Sequence, residues 1–250
     1  MRPIIIGNWK CNPSTLAEAE RLFKKIKNGI KNIKNAEIVI CPPFPFLSSL
    51  KSKLLNLKLG AQDCFGEEGG AFTGEVSPKM LKDLGVEYVI LGHSERRKYS
   101  GETDETINKK LKKILEFELS PILCIGDKNR ESKDDIKEIS LQLEAALQGL
   151  ESADLSRLVV VYEPIWAIST TKGGVAATID DAKEAVFYIR NILAKLFRED
   201  ITKKIRIIYG GSVDSENSRG YIKEANFDGL LVGKASLNAK EFIKIIKAAV

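Results

Sequence analysis

The stretch Leu158-Val159-Val160-Val161-Tyr162-Glu163-Pro164 carries the reading of the fold. Its first five residues are apolar without a break, where a strand with one wet face would alternate, so both faces of this strand are expected to be covered. Pro164 ends regular pairing straight after Glu163. Runs of the same kind recur at residues 4–7, 38–41, 57–61, 88–91, 121–125, 205–209 and 229–232, bringing the number to eight. Helix-period segments lie between them. Leu16, Leu22, Phe23, Ile26 and Ile30 mark the first, and Ile107, Leu111, Ile114 and Leu115 mark one after the fourth run. Ile136, Ile139, Leu143, Leu147 and Leu150 mark another, and Ala182, Val186, Ile189, Leu193 and Leu196 a further one opened by a Thr178-to-Asp181 capping box. Eight βα units in 250 residues predict an α/β fold, a closed eight-stranded parallel (β/α)8 barrel, occupying residues 1–250 as a single domain. An open doubly wound sheet would carry a G-x-G-x-x-G turn after its first strand, and Gly7-Asn8-Trp9-Lys10 is no such turn. One connection is anomalous: residues 62–78 hold Gly66, Gly69, Gly70 and Gly74 with few helical positions, the mark of a functional or interface loop.

Composition narrows the function classes. Lys+Arg 39 against Asp+Glu 34 leaves +5, and cations and acids interleave on what read as helix faces, so no nucleic-acid stripe is expected. The basic run from Arg21 to Lys34 is interleaved with Leu22, Phe23, Ile26 and Ile30 and reads as the outside of an amphipathic helix. One histidine rules out a His-rich metal site. Cys11, Cys41, Cys64 and Cys124 lie far apart with no C-x-x-C pair, and are expected to be free thiols in a reducing cytoplasm. No apolar run is long enough to span a bilayer, and the first residues do not form a signal peptide.

A barrel builds its active site at the carboxyl ends of its strands. The residues there are Asn8 and Lys10 after the first strand, His93 and Glu95 after the fourth, and Glu163 after the sixth; Gly210, Gly211 and Ser212 follow the seventh and Gly233 the eighth. Each has a blander alternative: Lys10 as a salt-bridged surface residue, His93 as a packing residue, Glu163 as a strand cap and residues 209–212 as a plain turn. Taken together, an ammonium, a lone imidazole, a carboxylate and two glycine turns suit acid–base work on a small phosphorylated substrate, with no metal or other cofactor.

The motifs Gly7-Asn8-Trp9-Lys10, Gly70-Ala71-Phe72-Thr73-Gly74-Glu75, Gly92-His93-Ser94-Glu95-Arg96-Arg97, Tyr162-Glu163-Pro164-Ile165-Trp166-Ala167-Ile168, Tyr209-Gly210-Gly211-Ser212-Val213 and Leu231-Val232-Gly233 with Ala235-Ser236-Leu237 stand in the order of one family. Over essentially its full length the chain resembles the triosephosphate isomerases, whose fold is the TIM barrel. The resemblance implies interconversion of dihydroxyacetone phosphate and glyceraldehyde 3-phosphate through an enediol(ate), within glycolysis and gluconeogenesis. It implies Glu163 as general base, His93 as a neutral electrophile, Lys10 as the stabilising cation, Asn8 orienting nearby and Glu95 holding Lys10. For the substrate phosphate it implies Ser169, Ser212, Gly233 and Lys234, under a lid running from Pro164 to about Ala177. The loop at residues 62–75 resembles an arm that reaches into a second copy, which implies a cytoplasmic homodimer with Thr73, Gly74 and Glu75 at its interface.

Three departures from the family pattern are visible. The lid reads Ala167-Ile168-Ser169-Thr170-Thr171-Lys172-Gly173-Gly174, with fewer early glycines and an apparent extension. Lys234 stands where a second glycine is usual, and Asp63 replaces an asparagine, which is expected to add negative charge at the dimer contacts. Two other readings stay open at this stage: a barrel isomerase of phosphoribosyl intermediates, and a barrel retained for interaction alone.

Overall fold

The computed structural model describes residues 1–51, 57–128, 133–151, 154–168 and 176–250. Eight parallel strands, β1 (Ile4–Asn8), β2 (Glu37–Cys41), β3 (Lys58–Ala61), β4 (Tyr88–Leu91), β5 (Ser120–Ile125), β6 (Val159–Tyr162), β7 (Arg206–Tyr209) and β8 (Gly229–Val232), close in sequence order into a TIM barrel. Closure is visible at Ile5, which pairs with Ile38 of β2 on one side and Leu230 of β8 on the other. Around the barrel run α1 (Leu16–Ile30), α2 (Leu47–Lys51), α3 (Pro78–Asp83), α4 (Ser94–Ser100), α5 (Asp104–Glu116), α6 (Lys133–Leu147), α7 (Ile179–Leu196), α8 (Glu199–Thr202), α9 (Ser218–Lys223) and α10 (Ala239–Ala249).

The unbroken apolar runs follow from two cores separated by one strand layer. Ile4, Ile6, Val39, Ile90, Ile122, Val159, Val161 and Leu231 fill the barrel interior. Their neighbours Ile5, Ile38, Ile40, Val89, Leu123, Val160, Ile207 and Leu230 face outward under the helices. Alternate residues thus go to opposite faces, and both faces exclude water.

Helix starts are encoded locally. The Thr15 side chain accepts the Glu18 N–H while Glu18 reaches back to the Thr15 N–H, and Thr178 and Asp181 repeat this box at α7. From there α1 buries Ala19, Phe23, Ile26 and Ile30, and packs against α10, whose Phe242, Ile245, Ile246 and Ala249 are buried. Leu16 and Leu196, expected on buried stripes, are exposed instead, because they occupy the first and last positions of α1 and α7 and overhang the barrel. Leu150 lies beyond the end of α6, partly buried against the core. Among the described residues no helix is long and apolar enough to cross a membrane.

Candidate active site

Strand ends β1, β4, β6, β7 and β8 converge on a cavity of about 590 Å³, lined by Asn8, Lys10, His93, Glu163, Ser212, Gly233 and Lys234 among others. Lys10 arrives in the left-handed region, φ 53°, which is sparsely populated by side chains other than glycine. Its backbone is held on both sides: the Lys10 N–H donates to Asn8 Oδ1 at 3.0 Å, and Gln62 Nε2 donates to the Lys10 carbonyl at 2.8 Å. Its ammonium meets Glu95 Oε1 at 2.6 Å. A strained backbone so constrained aims the side chain into the cavity.

His93 caps the N-terminus of α4, and its Nδ1 accepts the Glu95 N–H at 3.2 Å. A nitrogen that accepts carries no proton, which leaves the imidazole proton on Nε2. That Nε2 lies 3.1 Å from Glu163 Oε1. Glu163 is buried, and both its oxygens are engaged: Oε2 accepts the Ser94 N–H and Oε1 the Ser94 hydroxyl, each at 2.9 Å. Ser94 therefore parks the carboxylate, a task that nothing in its local sequence announces.

The glycines after β7 are required by space. A Cβ at Gly211 would sit 2.3 Å from the Tyr209 hydroxyl, and one at Gly210 would sit 2.5 Å from Val161. The Ser212 N–H, expected to face an anion, donates to the Ala167 carbonyl at 3.3 Å, a long bond that a phosphate oxygen can replace. Ser169 and residues 170–175 of the expected lid lie outside the described residues.

Thr73, Gly74 and Glu75 are not part of the cavity. They form an exposed turn, with Phe72 beside them 46% exposed and packed on Phe65 at 4.6 Å between ring centroids. Asp63 differs from expectation. Its carboxylate is buried within the chain, 2.8 and 3.0 Å from Lys110 Nζ and 2.8 Å from Arg96, so its charge is spent internally and not at an outer surface. Burial pushes its pKa up, against the pull of Lys110. Glu102 joins the same cluster through Lys110 and accepts the Gly92 N–H at 3.2 Å, tying it to the turn that carries His93. Among the described residues no cluster of three or more His, Cys, Asp and Glu forms a candidate metal site.

A closed parallel barrel with a carboxylate, an imidazole and an ammonium gathered at the carboxyl ends of its strands belongs to the class of TIM-barrel enzymes. Comparison with known proteins narrows the class. The family model described as Triosephosphate isomerase matches residues 3–249. Proteins named triosephosphate isomerase from Alkaliphilus oremlandii, Dictyoglomus turgidum and Carboxydothermus hydrogenoformans are 47%, 46% and 44% identical, each over at least 98% of both chains. The chain belongs to the triosephosphate isomerase family. It is accordingly an isomerase, an intramolecular oxidoreductase, and not a barrel kept for interaction alone.

Proposed function

We propose that the chain interconverts dihydroxyacetone phosphate and D-glyceraldehyde 3-phosphate by proton transfer, as a step of glycolysis and gluconeogenesis. The observation that carries this reading is the meeting of Glu163, the His93 Nε2 proton and the Lys10 ammonium on one cavity wall. Substrate takes over the oxygens now held by Ser94, and the Glu163 carboxylate removes the proton from the carbon next to the carbonyl. The electron pair moves onto the carbonyl oxygen, which His93 Nε2–H and Lys10 Nζ stabilise as an enediolate. His93 then passes its Nε2 proton to that oxygen and takes the hydroxyl proton of the adjacent oxygen, which shifts the charge across the enediolate, and Glu163 returns its proton to the former carbonyl carbon as the new carbonyl forms. The Glu95 N–H pointing at Nδ1 turns Nε2, as the donor, towards the substrate oxygen.

Asn8 and Glu95 hold Lys10 by backbone and side chain respectively. The phosphate is assigned to the Ser212, Gly233 and Lys234 rim of the cavity, with Ser169 as a further contact suggested by position in the sequence. The exposed turn at Thr73, Gly74 and Glu75, with Phe72 beside it, is read as the contact to a second copy in a homodimer. The described free cysteines fit a cytoplasmic location. A coupled assay with glyceraldehyde 3-phosphate tests the reading: Glu163→Gln is expected to lose about 10³-fold in kcat with the fold intact. A well-folded parent without turnover, or an active Glu163→Gln, overturns it.

A further inference from the structure

The backbone of Glu163 rests on one residue of the adjacent strand end. An ideal Cβ placed on Gly126 would lie 1.9 Å from the Glu163 carbonyl oxygen and 2.7 Å from its carbonyl carbon, so only glycine fits there and its Cα packs directly on the chain carrying the carboxylate. Two further bonds zip these segments together: the Glu163 N–H donates to the Ile125 carbonyl at 2.7 Å, and the Ile165 N–H to the Asp127 carbonyl at 2.9 Å. Whatever fixes Gly126 therefore fixes Glu163.

What fixes Gly126 is a single side chain. Gln142 of α6 is buried, and its amide grips both polar groups of Gly126: Oε1 accepts the Gly126 N–H at 2.9 Å and Nε2 donates to the Gly126 carbonyl at 3.0 Å. The amide cannot turn over without losing both bonds. Its orientation is further set by Glu138, whose Oε1 accepts from Gln142 Nε2 at 3.4 Å while pairing with Lys128 at 3.2 Å.

We propose that Gln142 is a positioning residue for the reaction, acting through Gly126 to set the depth and angle at which Glu163 meets its substrate. It touches no substrate atom itself. The proposal rests on Glu163 being the base, and it extends that assignment from the barrel mouth to the outer helix layer. A catalytic group displaced by about 1 Å loses on the order of 10²-fold in rate, so a lost pincer should be read chiefly in turnover.

The test compares Gln142→Met, which keeps the volume but neither bond, with Gln142→Glu, which keeps an acceptor for the Gly126 N–H. For each, kcat and KM are measured with glyceraldehyde 3-phosphate, together with inhibition by inorganic phosphate and by a hydroxamate phosphate that mimics the planar enediolate. Gln142→Met should lose roughly 10- to 100-fold in kcat, and the same factor in hydroxamate affinity, while KM and inorganic phosphate inhibition stay within about twofold. Gln142→Glu should fall between it and the parent, and carries the test if Gln142→Met does not fold. Parental kcat in both variants overturns the proposal, as does an equal loss of kcat and phosphate affinity, which marks a general loosening of the site. Failure of the base assignment is read separately, from an active Glu163→Gln in the parent background.

Discussion

The two ends of the barrel both bury charge, and they do so in opposite ways. At the floor, the starts of β2, β3, β4 and β7 bring Glu37, Lys58, Tyr88 and Arg206 together: Glu37 accepts from the Tyr88 hydroxyl at 2.6 Å and from Arg206 at 2.7 Å, and pairs with Lys58 at 2.9 Å. Lys58 also meets Glu87 at 2.8 Å. At the mouth, Lys10 sits on a strained backbone and the Glu163 carboxylate oxygens are held by Ser94 contacts that a substrate can replace. A saturated network resists rearrangement and stabilises the fold, whereas exchangeable contacts leave charge available for chemistry. Within the floor network the bonds also outweigh the cost of burial. Burial alone would raise Glu37, yet the bonds from Tyr88, Lys58 and Arg206 outweigh it and hold the carboxyl at about 2, while burial pushes Tyr88 up to about 12.

If the mouth gives up stability for function, Lys10→Gly separates the two most sharply. It removes the cation, and kcat/KM should fall about 10²- to 10³-fold in the coupled assay. Its midpoint of thermal unfolding should stay near the parent's. Relief of the positive φ gains roughly 1–2 kcal/mol and offsets a partly exposed Glu95 pair worth about 1 kcal/mol or less. A large loss of stability would mean that Lys10 is a structural residue.

Glu37→Gln at the floor should do the reverse. It leaves Lys58 and Arg206 without their shared carboxylate, at a cost of about 2–3 kcal/mol after allowing for the water that reaches both cations. That is roughly a 5–10 °C drop in midpoint for a chain of this size, with kcat unchanged. The acid limb sharpens the point. The folded pKa of Glu37 is depressed, so its contribution is complete above the ordinary carboxylate range near 4.5 and is lost as pH falls towards about 2. Allowing for solvent screening, this is worth about 1–2 kcal/mol. Urea midpoints of parent and Glu37→Gln should therefore draw together as pH falls from about 5 towards about 2; a gap that stays constant would show that the network does not act through the Glu37 charge.

The mouth was far more legible in the sequence than the floor, and the reason is local. Lys10, His93 and Glu163 each stand within two residues of a strand's carboxyl end, so reading the strands points to the candidate site. The eight runs were visible because water is excluded from both faces, and their ends were misplaced only by a residue, as at Asn8 and Val159. Helices of several turns, such as α1, α5 and α7, showed their buried stripe, but α2, α3, α4, α8 and α9 span too few residues to display a period. Glu37 and Arg206 are 169 positions apart, and nothing in either neighbourhood announces the other. The same holds for Gln62, Ser94 and Gln142, polar residues whose partners are set by strand closure and not by spacing along the chain.

The smallest expected effect lies at Lys234, where the comparison is between two lysines. Lys58 at the floor shares two carboxylates, whereas Lys234 is exposed on the cavity rim and, among the described residues, makes no ion pair. An unpaired cation beside the proposed phosphate site attracts a dianion, but water screens it and the Asp214 and Glu241 carboxylates line the same cavity, so its net effect is on the order of 0.5–1 kcal/mol. Lys234→Gly keeps the backbone N–H and removes only the charge. KM for glyceraldehyde 3-phosphate should rise about two- to fivefold with kcat unchanged, and the dependence of kcat/KM on ionic strength should flatten. If KM holds and the salt dependence is retained, the ammonium points away from the substrate, and the anion is bound by backbone groups alone.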